Sequence, residues 1–146
     1  MAEKTAGFTA EERAAMKARA AELRAEAKAS KGAAKKEADR QGVLEAIEAL
    51  SGTDKVLAQR FHEMVTETAP QLDPKTWYGF PAYGRDGKAV CFFKASAKFN
   101  SRYATIGFND GAQLDDGALW PTEFAIVEFT PDVEKRMREI IARAAG

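Results

Sequence analysis

Asp86-Gly87, set between Arg85 and Lys88, most constrains how this chain can fold. A two-residue turn of that composition accepts positive φ at both central positions, which is what a tight β-hairpin requires. The flanks "WYGFPAYGR" and "KAVCFFKAS" are rich in aromatic and β-branched residues, as paired strands are. An unbroken hairpin pairs Tyr83 with Val90, Ala82 with Cys91 and Phe80 with Phe93. Side chains alternate across a strand. One face then carries Tyr78, Phe80, Ala82, Ala89, Cys91, Phe93 and Ala95, and the other Trp77, Gly79, Pro81, Tyr83, Val90, Phe92 and Lys94. The first set is apolar throughout and is expected under helices. A slip of one residue would exchange the two faces.

The remaining elements follow from periodicity. Strands are predicted near 76–85, 88–95, 102–108 and 123–129, with Ala104, Ile106 and Phe108 pointing to the core and Tyr103 and Thr105 to the second face. Gly79-Phe80-Pro81 reads as a bulge or an edge, since proline cannot donate to a central ladder. Before Lys75 the period is helical. Val43, Leu44, Ile47 and Leu50 share a face that stops at Ser51-Gly52. Thr53 is the expected cap of a second helix, lined by Leu57, Phe61, Met64, Val65 and Thr68 and closed by Pro70 and Pro74. A last helix opens at Thr130-Pro131 and buries Val133, Met137, Ile140, Ile141 and Ala144. Helices, then antiparallel strands, then a helix predict an α+β fold with helices packed on one face of the sheet.

The front of the chain is different. Phe8 is the only aromatic before Phe61, and residues 1–36 hold nine Lys and Arg against five Glu. Thr9 and Glu12 form a capping box for a helix expected over about 10–29. Its only large apolar residues, Met16 and Leu23, make too thin a stripe to dock firmly, and Arg13–Lys17 and Glu22–Glu26 are like-charged pairs at i,i+4. "ASKGAAKK" reads as a flexible joint. Two regions are therefore expected: 1–36, a basic helical extension, and 37–146, the α+β domain.

Composition excludes several functions. The formal net charge is zero, which argues against nucleic acid or a membrane as partner. One cysteine, Cys91, cannot form an internal disulfide and suits a reducing compartment. No apolar run approaches the roughly 20 residues of a spanning helix, so a cytoplasmic protein is expected. No nucleophile–base pair, phosphate-cradling loop or paired-carboxylate motif points to an enzyme. His62, the single histidine, reads as a residue at the edge of the core.

Two candidate sites remain. The second sheet face offers a ligand platform of Trp77, Tyr78, Gly79, Pro81, Tyr83, Phe92, Lys94 and Tyr103, fit for a small ligand, a partner protein or a weak homo-oligomer contact. The long connection "NDGAQLDDGALWPTE" carries Asp110, Asp115, Asp116 and Glu123, hard oxygen donors for a cation, although Asp-Gly pairs also serve turns.

"PKTWYGFPAY", "GKAVCFFK", a later aromatic strand and the final amphipathic helix resemble the YdhG-like family over roughly residues 43–145. Members often carry Met where this chain has Phe80. The resemblance implies a frataxin-like sandwich. It also implies iron as cargo, because some members are described as intracellular iron chaperones; Asp115, Asp116 and Glu123 are the exposed carboxylates that such a role would use here.

Overall fold

The computed structural model describes residues 8–146, the side chain of residue 29 excepted. The first seven residues of the basic extension lie outside that range. The chain divides into two compact units, Met1–Lys35 and Lys36–Gly146.

Helix α1 spans Ala10–Glu48. Its start is the expected capping box: the Thr9 N–H donates to Glu12 Oε1 at 2.9 Å and the Glu12 N–H donates to Thr9 Oγ1 at 3.0 Å. Residues 29–36, expected as a joint, are helical. A lone Gly32 among alanines and lysines costs only about 1 kcal/mol of helix propensity, and no proline interrupts the run. In the first unit Met16 and Leu23 are exposed, as so thin a stripe requires.

In the second unit, α1 residues Val43 and Ile47 are buried. In helix α2 (Gly52–Thr68) Ser51, not Thr53, takes the N-cap position, without a side-chain capping bond, and the helix buries Leu57, Ala58, Phe61, Met64 and Val65. Helix α3 (Pro131–Ala145) starts where expected, with the Val133 N–H donating to Thr130 Oγ1 at 3.3 Å. Met137 and Ile141 are buried, but Val133 is exposed.

The sheet is a five-stranded antiparallel meander, β1 (Asp73–Trp77), β2 (Phe80–Arg85), β3 (Lys88–Lys94), β4 (Ala104–Phe108) and β5 (Glu123–Ile126), in sequence order. The fold is thus α+β, as expected. The segment 76–85 is two strands, not one. Trp77 pairs with Phe80 across a second tight turn, Tyr78-Gly79, with φ of 50° and 78°. Asp86-Gly87, with φ of 52° and 77°, is the turn its composition announced. Asparagine and aspartate tolerate that region best after glycine, so a tyrosine there hid the first turn.

The β2–β3 register begins as expected, with Arg85 opposite Lys88 and Gly84 opposite Ala89. It then shifts at Tyr83/Gly84, so that Tyr83 faces Cys91 and Ala82 faces Phe92. Val90 is the extra residue, and a bulge of this kind moves every later β2 side chain to the other face. Asn109 satisfies the bulge: its N–H donates to the Val90 carbonyl at 2.8 Å and its Nδ2 to the Ala89 carbonyl at 3.2 Å.

The shift moves Phe80, Pro81, Ala82 and Tyr83 to the faces opposite those expected. Tyr83, expected on the water-facing side, is fully buried, with its ring edge-on to Phe61 at 5.7 Å. Phe80, expected in the core, stacks on Phe92 at 5.9 Å on the opposite face. Pro81 moves with Tyr83 and is buried. Cys91, Phe93, Ala104, Ile106 and Phe108 lie in the core as expected. Burial pushes the Cys91 thiol far above its ordinary range, which leaves it an inert small hydrophobe.

Candidate functional site

The sheet face turned away from the core is built by register. Lys75 lies opposite Ala82, Ala82 opposite Phe92, and Phe92 opposite Gly107. Trp77 and Phe80 lie on the same face. Gly107 is what allows Phe92 to lie flat across β4: a Cβ there would meet the Phe92 ring at 2.2 Å. Trp77 is 5.0 Å from Phe92, centroid to centroid, and 6.4 Å from Phe80. Tyr78 stands edge-on to Trp77 at 4.8 Å and is 81% exposed, the outermost ring of the group.

A 3-10 turn, Ala97–Phe99, completes the cluster by placing Phe99 edge-on to Phe80 at 5.3 Å. The Lys94 ammonium sits over the Phe99 ring, 4.7 Å from its centroid, a cation–π contact. The Lys98 ammonium lies beside Gly79.

This turn is fixed from the far side of the domain by Asp54, which is only 6% exposed. Its carboxylate accepts from the Ser96 N–H at 2.9 Å, the Ser96 hydroxyl at 2.8 Å and the Ala97 N–H at 3.0 Å. Burial alone would raise this carboxyl's pKa. The donors from Ala97 and Ser96 outweigh it, and the net displacement is downward.

Of the eight platform residues read from the sequence, Trp77, Tyr78, Gly79, Phe92 and Lys94 come together here. Tyr103 is half-buried just before β4, with the Arg102 guanidinium 5.3 Å from its ring centroid. Pro81 and Tyr83 do not belong to the face. Phe80, Phe99, Lys75 and Lys98 do, and the sequence reading missed them. The signal for Phe80 was the tight turn hidden in Tyr78-Gly79; for Phe99 it was an aromatic isolated in the polar run "SAKFNS".

The acidic connection is packed rather than gathered. Ala112 and Leu114 are buried, the Gln113 N–H donates to the Ala144 carbonyl at 3.0 Å, and Arg143 donates to the Asp115 carbonyl at 2.8 Å. Among the described residues, no three of His, Cys, Asp and Glu are grouped to hold a metal ion, so Asp110, Asp115, Asp116 and Glu123 form no common site. Asp110 instead lines a hollow of about 600 Å³ with Trp77, Lys88, Val90 and Asn109. A larger concavity, about 710 Å³, lies between α2 and residues 127–129. Its Arg60 and Glu63 pair with each other at 2.9 Å, which leaves less free charge for a ligand.

His62 is half-buried, and its Nδ1 lies 2.9 Å from the Tyr83 hydroxyl. Burial lowers its pKa below 6.5, nearby Arg40 adds to this, and Glu63 opposes it. A depressed histidine leaves the folded state short of a proton that the unfolded chain takes up. Stability should therefore be full above about pH 6.5 and decline as pH falls through the folded pKa. His62→Gln should flatten that part of a pH series of urea midpoints; an unchanged slope would exonerate His62.

Compared with known proteins, the chain matches no family model, no curated protein and no solved structure, so the resemblance drawn from its motifs assigns no family.

Proposed function

We propose that the Lys36–Gly146 unit is a binding module whose open sheet face takes a small, flat, negatively charged ligand. The observation that carries this reading is the Trp77–Phe80–Phe92–Phe99 cluster on the helix-free face, with the Lys94 ammonium at 4.7 Å over Phe99. Aromatic faces offer a planar group apolar contact without demanding a particular ring. Lys75, Lys94 and Lys98 supply the charge, and none of them is held in an ion pair among the described residues. Tyr78 and Phe99 are exposed and Trp77 and Phe80 half-buried around a buried Phe92; exposed aromatics with no contact role would be expected singly, so a contiguous group favours a contact surface.

Aromatic carboxylates and mononucleotides titrated into isotopically labelled protein should shift the Trp77 indole and the Gly79 and Lys94 amides. Lys94→Ala should weaken such a ligand by roughly tenfold, the equivalent of one cation–π or charge contact. Shifts confined to the groove lined by Trp120 and Phe124 would place binding elsewhere and end this reading. Shifts confined to residues 110–123 on adding Fe(II) would favour the iron-carrier role instead.

A further inference from the structure

The first unit supplies a second, independent surface. We infer that the helix over residues 10–35 is a nucleic-acid-binding arm, which lays one face along the phosphates of a duplex. At 3.6 residues per turn, Arg13, Lys17, Arg24, Lys28, Lys31 and Lys35 fall within an arc of about 60°. They form one straight row about 33 Å long at 1.5 Å per residue, and all six are exposed. Glu11, Glu12, Glu22 and Glu26 occupy the opposite side. There Arg19, the basic residue outside the row, is spent on Glu22 at 3.1 Å and Glu26 at 3.8 Å. The zero net charge of the chain hides this separation, as does the expectation of a joint after residue 29.

The row costs the helix something. Like charges three and four apart each destabilise an isolated helix by about 0.2–0.5 kcal/mol, and Arg13–Lys17, Arg24–Lys28, Lys28–Lys31 and Lys31–Lys35 all have that spacing. A dense polyanion would turn those repulsions into attractions. Three occupants could supply negative charge, and the helix distinguishes among them. A membrane surface requires a broad apolar face beside the cations, whereas Met16 and Leu23 are the only large apolar side chains over residues 10–35. A protein interface requires a desolvated aromatic or aliphatic anchor, and this stretch has no aromatic. Nucleic acid requires only spaced cations, because phosphate contact and counterion release supply the affinity. The row is bordered by alanines at 10, 14, 20, 21 and 27, which let the backbone approach a phosphate chain closely.

The full chain should bind a labelled duplex of about 20 base pairs regardless of sequence, with log affinity falling against log salt at a slope of about −4 to −5. Arg24→Gln/Lys28→Gln/Lys31→Gln keeps helix propensity and should reduce that slope by about 3. The matching change to lysine or arginine at all three positions should restore it, and Arg19→Gln on the far side should leave it alone. An unchanged slope in the triple variant overturns the proposal. So does equal or tighter binding to phosphatidylserine vesicles, or displacement of the duplex by polyglutamate at equal charge.

Discussion

Asp54→Ala should lower stability by about 3 kcal/mol, because Asp54 ties the turn after β3 to helix α2. The aspartate is nearly buried, and its carboxylate satisfies two backbone N–H groups and one hydroxyl on the segment after β3. Alanine leaves those donors beside a void, and a buried donor without a partner costs about 1–3 kcal/mol. Asparagine retains one acceptor oxygen and should cost less. Because the folded carboxyl sits below its ordinary pKa of 3.8, its stabilisation is full above that pH and disappears as pH falls through the folded value. The difference between native and Asp54→Ala chains in urea midpoints should therefore narrow in acid. The same substitution should free the turn that carries Lys98 and Phe99, and so weaken any ligand held on the sheet face. A loss below about 1 kcal/mol would mean that water replaces the carboxylate without penalty.

How the site was hidden is a matter of particular residues. The Asp54 contact joins positions 42 and 43 apart in the chain, and no local pattern announces it. Local signals were reliable where one residue type solves one local problem. Thr9-Glu12 capped a helix, Thr130-Pro131 opened another, and Asp86-Gly87 turned a hairpin. The periodic apolar faces of α2 and α3 were legible for the same reason, since burial selects them directly. Tyr83 and Phe80 were assigned to the wrong faces because alternation is a counting argument, and one uncounted residue, Val90, inverts it. Phe92 was placed correctly because β3 alternates without a break from Cys91 to Lys94, with Cys91 and Phe93 in the core. The joint near Gly32 failed differently: a single glycine was weighed too heavily against its helix-forming neighbours.

The bulge also determines what Gly84→Ala should do, with an expected loss of about 3 kcal/mol or more. Gly84 does not have positive φ, so its requirement for glycine is spatial. A Cβ would meet the Lys88 carbonyl oxygen at 2.2 Å and its carbon at 2.8 Å, both backbone atoms of the paired strand. A side chain could rotate away; a strand held by its ladder cannot. The chain has two ways to relieve the clash. It can open the hairpin, or it can expel the bulge and adopt the unbroken register in which Tyr83 faces Val90. The second removes Tyr83 from Phe61 and deprives His62 of its partner, so neither is cheap. Gly87→Ala provides the comparison. That site is open, and its cost is the positive φ of 77° alone, about 1–2 kcal/mol. Urea unfolding should rank Gly84→Ala as the more damaging. Cross-strand contacts between Tyr83 and Cys91 should weaken in whatever folded fraction survives. If the two substitutions cost the same, close approach of the strands is not what reserves position 84 for glycine.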